Sequence, residues 1–191
     1  MPRPAPPLVL ASASPQRRAL LEQVGIAFSI HVTGVAELAV GDPLQVAGEN
    51  ARRKAAAHVA PGALVLGADT VVAADDAVLD KPADRAQARA HLRRLAGREH
   101  RVCGGVALMR DGVEVGFAVE VTHVAFRALD DAWIEWYLDT GEWRGRAGGY
   151  AIQGAGAALV TAVRGDYSNV VGLPLARLLE LAPELLAHGP D

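Results

Sequence analysis

Leu64-Val-Leu-Gly-Ala-Asp-Thr-Val-Val72, near the middle of the chain, decides how the rest is read. Its apolar residues are aliphatic or β-branched on both sides of a short Gly67-Ala-Asp-Thr70 break, with no helical stripe. Such a run predicts a strand buried on both faces. A bare carboxylate inside it would cost on the order of several kcal/mol unless donors or a cation met it. Asp69 is therefore expected at an opening in the sheet or beside a partner; the plainer alternative is a loop Asp capping a turn. Gly67 and Ala68, almost without side chains, would let a ligand approach the backbone there.

Upstream, Leu8-Val-Leu10 is a short apolar run followed at once by Ala11-Ser-Ala-Ser-Pro15. Ser14 before Pro15 is an N-cap with proline at the first helical position, and Ala19, Leu20, Leu21 and Val24 carry that helix to Gly25. Gln16, Arg17 and Arg18 occupy its first turn. Two cations at the positive end of a helix dipole are unfavourable by roughly 0.3–1 kcal/mol each when no anion is present. Strand, small-residue loop, helix N-terminus and arginines make an anion cradle, usually for phosphate; the alternative is an Arg pair facing solvent. Phe28–Val32 alternates like a strand. Asp42-Pro43 then opens a helix to about Val59, with Glu49, Arg52, Arg53 and Lys54 mostly on its solvated face.

Downstream, Asp75-Asp76 is a hairpin turn, and Pro82 holds Lys81 extended before a helix from about Asp84 to Ala96, closed by Gly97. A lysine held in that way can present its ammonium to a phosphate. Arg101–Met109 and Val113–Val121 form strands around the hairpin signal Asp111-Gly112. The alternation at 113, 115, 117, 119 and 121 changes phase at Val124 and Phe126, which predicts a bulge or bend. Asp130 caps a helix with Trp133, Ile134, Tyr137 and Leu138 that Gly141 stops; its aromatics read as core or interface. From Gly141 through Gly156 there are six glycines, both ends included, among Arg144, Arg146 and Gln153. That mixture fits a ligand-contacting loop better than a flexible linker. Ala157–Val163 reads as a strand, Arg164-Gly-Asp166 as a turn, and Leu175 to Leu181 as a last amphipathic helix.

The 191 residues are 51% hydrophobic and 21% charged, which suits a folded globular protein and not a disordered one. A net charge of −3 gives no overall attraction for nucleic acid or an anionic membrane. The single Cys103 excludes an internal disulfide and reads as a small core residue. The six histidines lack the spacing of a zinc site. The leader Met1–Pro7 is a proline-rich tail, without the apolar region of a signal peptide, and no run reaches membrane-spanning length. Cytoplasm is the expected location. The elements predict an α/β chain with a mixed sheet, folded as a domain at 8–187 between tails at 1–7 and 188–191.

Candidate anion contacts are Arg17, Lys54, Lys81 and Arg146, and candidate carboxylates are Glu37 and Asp69. Several cations around a few carboxylates match a nucleotide phosphate chain with a divalent metal. No Cys-His or Ser-His pairing is visible, so the chemistry expected is metal-assisted attack by water on phosphorus.

At this point the motifs resemble the Maf, or septum-formation-inhibitor-like, nucleoside triphosphate pyrophosphatases. The matching pieces are Leu10-Ala-Ser-Ala-Ser-Pro-Gln-Arg-Arg18, Lys54-Ala55, Gly67–Val72, Asp80-Lys-Pro82, Gly141-Glu-Trp143, Ala147–Gly154 and Gly165–Pro174, in the family's order. The resemblance implies a Maf/ITPase-like fold: one domain, or two lobes, whose central twisted mixed β-sheet is flanked by helices and opens on a nucleotide-binding cleft. It implies hydrolysis of a nucleoside triphosphate between the α and β phosphates, with Mg2+ or Mn2+, by a homodimer. It places Asp69 at the proton-acceptor position and Glu37, Lys54 and Lys81 at supporting acidic and basic positions; Asp69, with Glu37, is then expected to hold the metal or to orient and deprotonate the water. Ser12 and Arg17 match the phosphate-gripping turn, and Gln16, Thr70 and Gln153 the three specificity positions. Thr70 and Gln153 are those of the dTTP and UTP branch. That branch usually carries Arg where this chain has Gln16, and a neutral amide there is expected to loosen base selectivity. The family's His-x-Val-x-Thr segment appears as His100-Arg-Val-Cys-Gly104, which loses a hydroxyl. Competing readings are a nucleotidyltransferase, which would need a second acceptor substrate, and a non-catalytic nucleotide-binding regulator of cell division.

Overall fold

A computed structural model describes residues 5–75 and 77–186. The leader is therefore described only from residue 5. Asp76, residue 187 and the tail at 188–191 lie outside the described residues.

The first strand, β1 (Leu8–Leu10), is wholly buried. Ser14 then caps α1 (Pro15–Gln23), its side chain accepting from the Arg17 N–H, and Gly25 follows the helix end in a left-handed conformation. The expected strand at 28–32 shrinks to β2 (Ser29–Ile30), whose residues are both exposed. It is an edge strand with only the three residues of β1 beside it. Asp42 caps α2 (Pro43–Ala56), which stops short of Val59 as the chain approaches Pro61.

β3 (Leu64–Ala74) runs as the expected buried strand straight through Gly67-Ala-Asp-Thr70, so Asp69 is not the loop residue of the alternative reading. A hairpin joins it to β4 (Ala77–Leu79), and Asp84 caps α3 (Arg85–Leu95). β5 (Glu99–Arg110) and β6 (Val113–Phe126) flank the Asp111-Gly112 turn, where both residues have positive φ. α4 (Asp131–Thr140), β7 (Val160–Arg164), α5 (Tyr167–Val171) and α6 (Leu175–Leu181) complete the order. Ala157–Leu159 belong to a 3-10 turn, not to the expected strand. The turn at 164–166 leads into α5, capped by Asp166.

The seven strands form one mixed sheet in the order β2-β1-β3-β5-β6-β7, with β4 on β3. β1 is parallel to both neighbours, whereas along β3, β5, β6 and β7 each strand is antiparallel to the next. α2 covers one face, against Val9, Val65, Ala107 and Met109. The other helices cover the opposite face: α1 and α6 over Leu8, Leu10, Leu64, Leu66 and Val106, and α3 and α4 over Val72, Val102 and Val124. Trp133 and Trp136 stay partly exposed while Ile134, Tyr137 and Leu138 enter the core. Among the described residues, no helix is long and apolar enough to cross a membrane.

The phase change in β6 lies next to an irregularity of the kind expected there and also has a second cause. Its register with β7 shifts between Ala125 and Phe126, whereas its register with β5 is continuous from Glu99↔Ala125 to Leu108↔Gly116 and shifts between Leu108 and Met109. What changes near Val121 is which face is covered. Phe117 and Val121 pack on the α2 side, while Val124 and Phe126 enter the opposite core.

Two glycines set the depth at which α2 sits. A Cβ on Gly67 would lie 2.1 Å from the Ala51 carbonyl oxygen, and one on Gly105 would lie 2.2 Å from that of Ala47. Gly67 thus serves the close approach of a helix, where the sequence had pointed to a ligand. Gly105 pairs directly with Asp69 across β3 and β5. Helix and strand backbones meet on both sides of the carboxylate. Gly67→Ala should therefore lower stability by about 1–3 kcal/mol or more, because the added methyl meets backbone. Denaturant titration checks this, and an unchanged midpoint would contradict the packing described.

Candidate active site

β1 ends at Leu10, opposite Leu66, whereas β3 continues to Ala74. On that side β4 joins β3 only from Val72 onward. One edge of β3 between Gly67 and Val71 is therefore uncovered, beyond the carboxyl end of β1. The chain passes from β1 through α1 to β2 on one side, then back through α2 to β3 on the other. Such a reversal of strand order is where open α/β sheets bind ligands. A cavity of about 620 Å³ opens there, lined by all nine side chains singled out from the sequence, and by Arg146.

Strand alternation divides these residues into two groups. Asp69 faces α2 and is 6% exposed. Its Oδ1 accepts from Lys54 Nζ at 2.6 Å and its Oδ2 from Asn50 Nδ2 at 2.9 Å. The carboxylate is thus both buried and partnered. Lys54 is buried too, not on the solvated face expected for it, and its ammonium is also 2.6 Å from Glu37 Oε1. Lys81 Nζ, largely exposed, is 3.6 Å from Glu37 Oε2. Partial burial alone would raise the Glu37 carboxyl, but the Lys54 hydrogen bond and charge, with Lys81 and Arg17, carry it below its usual value.

Thr70 faces the other way, toward α1 and α5. Its hydroxyl donates to the Gly172 carbonyl at 3.2 Å, and Arg17 Nε donates to the same oxygen at 2.9 Å. Arg17 Nη1 also donates to Ser12 Oγ at 2.8 Å. Burial pulls the Arg17 pKa below its usual value, and Asp69 and Glu37 oppose that pull. Arg18 is exposed. Gln16 Oε1 accepts from Ser14 Oγ at 3.1 Å, at the helix mouth, while Gln153 stands exposed on the opposite rim.

Three participants escaped the sequence reading. Asn50 stands four residues before Lys54 on α2, hence on the same helix face; that spacing was a usable signal. The Gly172 carbonyl, which seats Arg17 and Thr70, is a backbone group and left no side-chain signature. Glu142 accepts the Ala155 N–H at 2.8 Å and so pins the turn that carries Gln153. The glycine-rich segment is further held by the Tyr137 hydroxyl on the Ala151 N–H and by Tyr150 against His100. At Gly104, a Cβ would meet Asn169 Oδ1 at 1.8 Å, so the side chain missing there is replaced by Asn169.

Glu37 and Asp69 are carboxylates of this cavity that could hold a divalent cation. Both already converge on one positive charge, and both offer only hard oxygen donors. That set fits Mg2+ or Mn2+, which take one or two carboxylates together with substrate phosphates. Among the described residues no group of three His, Cys, Asp or Glu could hold an ion unaided, so phosphate oxygens would complete its shell.

The sequence profile of Maf-like proteins matches residues 7–185. This chain belongs to the Maf family. The relatives of this Maf protein include proteins named dTTP/UTP pyrophosphatase. That of Symbiobacterium thermophilum is 51% identical over 178 residues, covering 91% of each chain. That of Deinococcus radiodurans is 46% identical over 180 residues, covering 93% of this chain and 92% of its own. The one from Pyrococcus furiosus is 40% identical over 178 residues, covering 91% and 93%.

One titrating group behind the cleft has a measurable consequence. Burial drives His100 from 6.5 down to about 4, and its Nε2 is 2.8 Å from the Tyr150 hydroxyl. Between these two values the unfolded chain takes up a proton that the native His100 refuses, so stability falls as pH is lowered through that window. His100→Gln should reduce the loss of unfolding free energy between pH 7 and pH 4.5 by roughly 2–3 kcal/mol, measured by denaturant titration at both pH values.

Proposed function

We propose that this Maf protein hydrolyses dTTP or UTP, and related modified pyrimidine nucleotides, between the α and β phosphates to the monophosphate and pyrophosphate. The observation that carries the reading is Asp69, buried at the open edge of β3 and bracketed by Lys54 and Asn50, across a cavity from the Arg17 cradle. The relatives' names supply the substrate. Each Asp69 oxygen accepts one N–H and keeps a further lone pair for water. Asp69 orients that water and takes its proton as the water attacks the α phosphorus in line, and pyrophosphate leaves with the β oxygen. Arg17 and Lys81 stabilise the charge gathering on the phosphates, while Lys54 holds Glu37 and Asp69 together against their mutual repulsion. Mg2+ or Mn2+, held by Asp69 and Glu37, would supply further neutralisation of phosphate charge. Gln16, Thr70 and Gln153 surround the place for the base. The neutral Gln16 amide would tolerate more than one base edge.

The same reading makes residues 8–187 one catalytic domain, working as a cytoplasmic homodimer with no nucleic-acid or membrane partner; the family resemblance and the charge of −3 support it.

A panel of canonical and methylated triphosphates, assayed for pyrophosphate release with Mg2+ or Mn2+, tests the substrate. Pyrimidines should exceed purines by at least tenfold, roughly the discrimination one or two hydrogen bonds provide; equal turnover would sink the pyrimidine assignment. Asp69→Asn should stay folded and bind nucleotide, melting lower because Lys54 keeps only Glu37 as its carboxylate partner, yet turn over at least about 10²-fold more slowly. Near-normal turnover would remove Asp69 from its role. Nucleotide binding by the wild type without pyrophosphate release would favour the regulator.

A further inference from the structure

Asn50 is 2% exposed, and its side-chain amide joins two parts of the site that nothing else joins in the same way. Its Oδ1 accepts the Leu38 N–H at 2.7 Å, and its Nδ2 donates to the Leu38 carbonyl at 3.0 Å and to Asp69 Oδ2 at 2.9 Å. One acceptor and two N–H donors are all in use. The opposite orientation of the amide would set its oxygen against two other acceptors and its NH2 against a donor, so the surroundings force the one observed.

Leu38 follows Glu37 in the segment 31–42, which carries no helix or strand and is mostly exposed. Asn50 and Lys54 lie one helical turn apart on α2. The first grips the backbone at residue 38, the second the carboxylate of residue 37. Both also grip Asp69. Lys54 does so as a charge on a flexible stem, which fixes distance more than direction. The planar amide fixes direction. It ties the plane of the Asp69 carboxylate to the loop that brings Glu37 over it.

We propose that Asn50 is a positioning residue for hydrolysis, aligning Asp69 and seating the Glu37 segment through one amide. This rests on the reading of Asp69 as the group that activates water. The cavity-lining phosphate contacts Arg17 and Lys81 do not touch Asn50, so its loss should act on turnover more than on substrate capture.

The test uses Asn50→Leu, which removes all three hydrogen bonds at similar volume, and Asn50→Asp, which keeps an acceptor for the Leu38 N–H but removes the donors. In Asn50→Leu, kcat should fall by about tenfold or more, as for loss of a hydrogen bond to a charged group. Its KM should stay within about twofold, and the Leu38 amide should exchange hydrogen faster by about tenfold or more. In Asn50→Asp, kcat should fall at least as far while the Leu38 amide keeps its protection. Melting followed alongside gives the folded fraction, by which kcat is corrected. Unchanged kcat in Asn50→Leu, or a fall accounted for by unfolded protein, would overturn the proposal. The two ideas fail separately. If Asp69→Asn stays active, the reading of Asp69 fails; if Asp69→Asn is inactive but Asn50→Leu is not impaired, only the role of Asn50 fails.

Discussion

The contact around which the site is arranged is the one between Asp69 and Lys54, inside a strand that is otherwise apolar. Removing two charges from water costs more than their attraction returns unless the geometry is close and further donors are present. Here the distance is 2.6 Å, and Asn50 supplies the further donor. None of this is possible unless α2 reaches the sheet at the right depth. Gly67 and Gly105 allow that approach, since a methyl group on either would strike the helix backbone. The glycines are thus as much part of the site as the ions they bring together.

The second constraint is the length of β1. With only three residues, it leaves β3 uncovered along one edge from Gly67 to the first pair with β4. A carboxylate buried against α2 on one face and a threonine on the other can then border one cavity. Adjacent residues on a strand point to opposite faces, so Asp69 and Thr70 are separated without any intervening sequence. The first faces Lys54 and Asn50, the second the Arg17 cradle and the Gly172 carbonyl. On the proposed reading, the pleat itself divides chemistry from recognition.

Most of this order was legible in the sequence because its signals are local. Ser14-Pro15, Asp42-Pro43, Asp84 and Asp130 each cap the helix they announce. Asp111-Gly112 makes the hairpin it predicts. The errors come from tertiary contacts. Lys54 has the local pattern of a solvated lysine and is buried because Asp69 waits beneath it. Gly67 suggested ligand access, and the space is filled by a helix that lies elsewhere in the sequence. Asn50 carried no motif, and the Gly172 carbonyl belongs to a short helix, α5, whose Asp166 cap was read as a plain turn. The side chains singled out in the sequence nonetheless border one cavity, although their partners are distant along the chain.

If the Asp69–Lys54 pair is kept for chemistry, the fold does not need it. A buried ion pair can often be replaced by apolar residues of similar volume at no loss of stability, whereas removing one partner leaves the other charge stranded. The direct measurement is the unfolding free energy of the double variant Asp69→Leu with Lys54→Met, by denaturant titration. The account predicts a stability equal to or above that of the wild-type chain, in a protein that releases no pyrophosphate. A loss of several kcal/mol would mean that the pair holds the sheet and helix together, and would contradict it.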